Sequence, residues 1–329
     1  MNESTTLVGV CGAGAFGRNH LRVIRESGRA GLAGVFDIDE ARAGAAAAEF
    51  GCRAFHSLDD FAGHCQAAIV AVPTAAHCDV ACRLLDAGLD VLVEKPIAVT
   101  LEEARRIIAA ASNRGRILQV GHLERFNPAV AAARRILTLP LFFEIHRLSI
   151  FTPRSLDVDV VADLMIHDLD ILLAMLGRMP DEVRAAGIPV LSGKADIANV
   201  RLSFPGGCIA NLTASRVSTE RVRKLRYFQP RQYVSVDYAR QECLSIAVDE
   251  NRQVKFLPQA VTKQEPLKRQ FDAFLDSIAS RERPEVDGEA AARALELATR
   301  IVAEMDKHQQ VVAESLAAAS MQQGPPTIG

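Results

Sequence analysis

The stretch from Leu7 to Asp37 constrains this chain more than any other. Leu7–Cys11 is short, apolar and partly β-branched, which reads as a buried strand. Gly12-Ala13-Gly14-Ala15-Phe16-Gly17 follows at once, and residues 16–27 then place Leu21, Val23 and Ile24 on one apolar side of a helix. Gly12 permits a tight turn, Gly14 admits a close backbone approach by a ligand, and Gly17 lets the helix pack against the strand. A second apolar strand, 32–37, ends in Asp37, twenty residues beyond Gly17. A glycine turn in an α/β protein can bind nothing. Placed between strand and helix, with an acid at this distance, it is the pattern that seats a pyrophosphate on a helix N-terminus. Ala15 and Phe16 would lie against that phosphate. Asp37 would accept hydrogen bonds from both adenosine ribose hydroxyls and repel a 2′-phosphate, and Ile38 after it offers no cation. The expected cofactor is NAD, with NADP disfavoured.

The alternation continues. A helix is expected over 40–50, a strand at 67–72 stopped by Pro73, a helix at 76–87 closed by Gly88, and a strand at 90–93 ending in Glu94-Lys95-Pro96. Thr100 with Glu103 makes a capping box for a helix over 101–113, and 116–120 is one more strand. Near-continuous apolar strands separated by helices predict a doubly wound parallel sheet covered on both faces. Past Gly121 the pattern changes. Helices near 128–137 and 159–176 flank a strand at 141–151. Strands then follow at 182–190, 196–204, 207–217, 222–229, 232–237 and 243–248 without helices between them, so a largely antiparallel open sheet is expected. Helices near 266–281 and 288–313 close the chain. The expected division is a nucleotide-binding Rossmann domain over 1–121, an α/β substrate and oligomerisation domain over 122–315, and a loose tail over 316–329.

Composition narrows the class. With 49% apolar and 24% charged residues and a net charge of −2, the chain is globular and lacks the basic surplus of a nucleic-acid binder. No apolar run reaches the length of a membrane span, and MNESTTLVGV has no basic segment before an apolar stretch. A cytoplasmic protein without a membrane partner is expected. The seven cysteines form no C-x-x-C pair, and their odd number suits a reducing compartment. Cys78, Cys82 and His77 could suggest zinc, but no second ligand pair follows and plain thiols are expected, with no metal.

Ligands of open α/β sheets bind outside the carboxyl ends of the strands. Two such ends carry Pro73, Thr74 and His77, and Glu94 with Lys95, all expected to touch the cofactor. A lysine there can hydrogen-bond a substrate hydroxyl and stabilise charge developing on it, although most lysines are simply solvated. Asp163 and His167 are four apart on an otherwise apolar helix, so they share a face, and Asp170 could join it. A histidine there could equally be a satisfied core residue. Buried polar groups of this kind need partners.

These motifs, in order, resemble one family. They are Gly12, Gly14, Gly17 and His20; Ala71-Val72-Pro73-Thr74 with His77; Glu94-Lys95-Pro96; Gly121-His122-Leu123-Glu124-Arg125-Phe126-Asn127-Pro128; and Asp163-Leu164-Met165-Ile166-His167-Asp168-Leu169-Asp170. The series is similar to the glucose–fructose oxidoreductase, inositol dehydrogenase and MocA family, over about residues 5–315. The resemblance implies a dehydrogenase acting on CH–OH groups, with Lys95 near the nicotinamide and Asp163 and His167 on a helix facing it. It also implies a cis Lys95–Pro96 bond, as is common in such proteins. In the implied reaction His167 takes the proton of a secondary alcohol, Lys95 supports the alkoxide, and Asp163 positions its neighbours.

The substrate is less legible. Arg147-Leu-Ser-Ile-Phe-Thr-Pro-Arg154-Ser155 is expected to line the cleft, Arg125 sits in the motif opening the second domain, and residues 201–240 hold eight Arg or Lys against two acids. Arginines would suit a diphosphate; they could also lie on an exposed sheet face or a subunit interface. The segments 121–130 and 147–171 are most similar to the UDP-N-acetylglucosamine 3-dehydrogenase subgroup. Where many relatives have Gly-Gly before the catalytic helix, this chain has Val158-Asp159-Val160-Val161. The expected reaction is oxidation of a sugar at C3 of such a UDP-sugar, with His167, Arg125 and Arg154 touching the substrate. A free sugar or cyclitol dehydrogenase and a non-catalytic NAD(H) sensor are the alternatives. An exposed apolar sheet face would need covering, which points to a homodimer or homotetramer.

Overall fold

The computed structural model describes residues 5–152 and 158–322. Two compact units form, each from two stretches of chain: Met1–Pro128 with Thr262–Leu295, and Ala129–Val261 with Glu296–Gly329.

In the first unit, β1 (Leu7–Cys11), β2 (Gly31–Phe36), β3 (Arg53–Phe55), β4 (Ala67–Val70), β5 (Asp90–Val93) and β6 (Leu118–Val120) form an all-parallel sheet in the order 3-2-1-4-5-6. That order is the doubly wound dinucleotide-binding arrangement, with its switch point between β1 and β4. The connecting helices are α1 (Ala15–Ser27), α2 (Glu40–Phe50), α3 (Leu58–His64), α4 (His77–Asp86) and α5 (Leu101–Arg114). Strand residues alternate between two cores, as the pleat requires. Val8, Val10, Ile69 and Leu92 pack with Leu21 and Ile24 of α1, whereas Val70, Val91 and Val93 pack with Phe61, Leu84 and Ile107. The expected capping box at Thr100 and Glu103 is present.

β3, α3 and β14 (Val254–Pro258) have no counterpart in the sequence-level reading. β3 is three residues long, α3 is a seven-residue helix capped by Ser57, and β14 is exposed throughout, so none presents a clear apolar period.

Helix α8 (Pro266–Ser280) belongs to the first unit although it follows the second sheet in sequence. Leu267, Phe271, Phe274 and Leu275 complete the core beneath α1. Arg281 locks its end with a bidentate contact to Asp90, at 2.7 and 3.1 Å. Local pattern can define such a helix but not the face that receives it.

The second unit holds β7 (Phe142–Ile150), β8 (Glu182–Ile188), β9 (Ile197–Ser203), β10 (Ile209–Ser218), β11 (Val222–Gln229), β12 (Gln232–Asp237), β13 (Glu242–Val248) and β14 in the order 14-13-12-11-7-10-9-8. Every pair is antiparallel except β7 with β10. Phe143, Ile145, Leu212, Leu225 and Tyr227 fill its buried face. Helix α6 (Pro128–Arg135) is tied to that face by Tyr227 Oη donating to Ala133 O at 2.8 Å. The opposite face is mixed rather than apolar: Arg226 pairs with Glu144 and Arg201 with Asn211, beside a cluster of Phe142, Phe228 and Tyr233.

Helix α9 runs from Gly288 to Gln322, so residues 316–322, read from sequence as loose tail, are helical. Their run of alanines and other good helix formers accounts for this. All seven cysteines are free thiols. Among the described residues no helix is long and apolar enough to cross a membrane.

Candidate active site

The glycine turn is held by sterics. Gly12 has φ +99°, and a Cβ there would stand 2.4 Å from Ala71 O. A Cβ on Gly17 would stand 1.8 Å from Gly12 O, so α1 can lie this close to the turn only without one. Around Gly14 the opposite holds: nothing lies within 4 Å of its Cβ position, and no side chain caps the N-terminus of α1. Ala15 and Phe16 are exposed beside it. An open helix N-terminus with unspent N–H groups fits a pyrophosphate. A Gly17→Ala variant is therefore expected to bind NADH about tenfold or more weakly, because shifting α1 costs charge-assisted hydrogen bonds to phosphate. Fluorescence titration of NADH reads this, and unchanged affinity would show that the helix can give way.

Asp37 is buried and held in place. Its Oδ2 accepts the Ala13 N–H at 2.7 Å and its Oδ1 the Asp39 N–H at 2.9 Å. The acid is thus fixed to the glycine turn itself.

Next come the two strand ends. Pro73 is exposed and Thr74 half-buried. His77 is buried with its ring nitrogens 2.9 Å from Pro96 O and 3.0 Å from Val72 O. Burial lowers its pKa against the pull of those carbonyls, so the ring is neutral at pH 7 and donates to one of them. Glu94 is also buried; Oε1 lies 2.7 Å from His20 Nε2, and Oε2 accepts the Lys95 N–H at 3.3 Å. His77 and Glu94, expected to touch the cofactor, spend these atoms bracing the backbone that presents Thr74 and Lys95. The Lys95 side chain is half-exposed and its bond to Pro96 is cis, as the resemblance implies. The His20–Glu94 pair joins residues 74 apart, so nothing in local sequence marks it.

Arg125 is buried, in a short turn with buried Glu124 and Asn127, and Asn127 Nδ2 donates to Glu124 Oε2 at 3.2 Å. Arg154 lies outside the described residues.

In the second unit, Asp163 sits in a π turn, Val161–Met165, and His167 opens α7 (Ile166–Leu176). Asp159 starts the turn by accepting the N–H groups of Val161 and Ala162 at 2.8 and 3.1 Å. The Ile166 N–H donates to Val161 O, five residues back. Such turns recur at functional sites, and Asp163 and His167 stay on one side of the chain. Both are half-buried, while Asp168 and Asp170 are buried. Asp170 is therefore not an exposed member of their face.

Arg147, expected to line a cleft, is buried instead. Its Nε and Nη2 donate to Asp168 at 2.6 and 2.9 Å, and its guanidinium lies 5.2 Å from the centre of the Tyr238 ring. The pair fastens α7 to β7 beside His167. One signal was available: Arg147 shares the inward parity of Phe143 and Ile145. Arg216 is likewise buried, against Asp196 at 3.7 Å, and donates to Val158 O ahead of the π turn. With Arg201 and Arg226 paired on the open face of the sheet, these arginines do not assemble a diphosphate cradle.

Residues 6–122 match the oxidoreductase family described as NAD-binding Rossmann fold, and residues 142–231 match the GFO/IDH/MocA C-terminal domain. The chain is 38% identical over 300 residues to a UDP-N-acetylglucosamine 3-dehydrogenase of Acidithiobacillus ferrooxidans, covering 89% of this chain and 95% of that one. The solved structure of that enzyme superposes with a TM-score of 0.87, at 36% identity over 92% of this chain and 99% of that one. Inositol 2-dehydrogenase 2 of Saccharopolyspora erythraea is 33% identical over 187 residues, 53% of this chain and 55% of that one.

Proposed function

We propose, from the premise that this chain belongs to the GFO/IDH/MocA family of NAD-binding oxidoreductases, that it oxidises the C3 hydroxyl of a UDP-N-acetylglucosamine-type nucleotide sugar to a ketone. The observation carrying this reading is the extent of similarity. The match to the nucleotide-sugar dehydrogenase runs through nearly all of both chains, whereas the match to the inositol dehydrogenase spans about half. That similarity reaches past the Rossmann fold into the second unit.

Bound NAD would supply the hydride acceptor; that chemistry is the cofactor's. The protein's part is to bind, orient and move a proton. Gly12, Gly14 and Gly17 leave room for the pyrophosphate and Asp37 takes the ribose. We assign His167 as the base that takes the proton of the reacting hydroxyl. Lys95 donates a hydrogen bond to the same oxygen and stabilises its developing charge. Asp163, on the side of the chain that carries His167, orients the imidazole and balances its charge once it is protonated.

A substrate panel read by NADH absorbance tests the proposal. Reduction of NAD with UDP-N-acetylglucosamine, and not with free sugars or inositols, is the expected outcome. Turnover confined to free sugars or cyclitols would overturn the nucleotide-sugar reading, and tight NAD binding with no turnover on any of them would favour a sensor.

A further inference from the structure

Read along the sequence, the position after Asp37 holds Ile38, which is 92% exposed, and no cation. The fold supplies one from further on. The first turn of α2 carries Arg42, whose Nη1 stands 3.8 Å from Asp37 Oδ2 and whose Nη2 stands 3.2 Å from Asp39 Oδ2. Asp39 also caps α2, its Oδ1 accepting the Arg42 N–H at 3.0 Å. One acid therefore holds Arg42 by both backbone and side chain, while the other is the carboxylate that reads the ribose. The Arg42 side chain is 53% exposed and that of Asp37 only 7%, so the guanidinium is reachable from solvent and the carboxylate is not free to turn away.

We infer that Arg42 is a coenzyme-specificity residue, a ready-made contact for a 2′-phosphate that Asp37 keeps out of use. The inference rests on NAD binding by this unit. Asp37 and Asp39 against Arg42 leave the ribose edge with a net negative charge. A 2′-phosphate would meet that charge at the ribose, and to reach Arg42 it would have to displace the guanidinium from its two acids. Removing the charge of Asp37 changes both conditions together. The edge becomes neutral, and the guanidinium, whose planar fork matches phosphate oxygens, loses one of its two competitors. Discrimination between the two coenzymes is then a property of the pair, with Asp37 supplying the repulsion and Arg42 the attraction it suppresses.

The test uses the full chain without substrate and reads NADH and NADPH binding by nicotinamide fluorescence. Asp37→Ser is expected to tighten NADPH by about tenfold or more, and Asp37→Ser/Arg42→Ala to lose that gain again, each step being the size of one charge-assisted contact. Arg42→Ala alone should leave NADPH as weak as in the parent. Asp37→Asn, which retains an acceptor for the Ala13 N–H, is measured alongside to guard against loss of the turn, and its NADPH gain should show the same dependence on Arg42. Equal gains with and without Arg42, or no gain in either Asp37 variant that still binds NADH, would overturn the role given to Arg42. A parent chain that binds neither coenzyme would instead overturn the underlying reading of the glycine turn.

Discussion

A His167→Ala variant is expected to lose about 10²–10⁴-fold in kcat on the nucleotide-sugar substrate, the range of a single general base. Its affinity for NADH should stay close to that of the parent, because the glycine turn and Asp37 lie in the first unit and His167 in the second. One further readout separates a base from a structural residue: unfolding by urea should change little, since His167 is only half-buried. Lys95→Met should show a comparable loss of kcat. Near-native turnover in either variant would remove that residue from the chemistry.

Replacing Arg147 by Met should cost about 3–5 kcal/mol of stability, read by urea unfolding followed by circular dichroism, because it strands the carboxylate of Asp168. Both side chains are almost inaccessible, at 3% and 2% exposure. An ion pair closed off this well contributes little net stability, since desolvation consumes most of the attraction; breaking it is what costs. The double variant Arg147→Met/Asp168→Leu should consequently recover most of the loss, as an apolar pair of similar volume has no charge to strand. If the double variant were no more stable than the single one, the pair would have to act through something other than its charge. The location gives the prediction its interest, because Asp168 directly follows His167, and the strand that holds it is central to the second sheet.

Much of the first unit could be read from the chain because its determinants are local. A strand, a glycine turn and an amphipathic helix are set by residues within one or two turns of each other. The capping box at Thr100 and Glu103 and the placement of Asp37 at the end of β2 are of the same kind. Short or exposed elements escaped. So did the π turn, because five-residue hydrogen bonding leaves Asp163 and His167 on the same side as an ordinary helix would and produces no distinct period.

The site residues divide along the same line. Gly12 and Gly17 stand where the adjoining strand and turn dictate a glycine, and Asp37 and Lys95 at strand ends that the local pattern already places. The partners of His20, Arg147 and Arg216 lie 74, 21 and 58 residues away along the chain, and α8 returns to the first unit from beyond the second sheet. A charged side chain in a sequence can be solvated, paired or ligand-binding, and the three look alike until burial removes water as a partner. Backbone conformation and turn chemistry depend on neighbours in sequence, which the chain states directly. Which arginine is free for a ligand and which is locked beneath a helix depends on what the folded core excludes from solvent, and only the tertiary structure decides that.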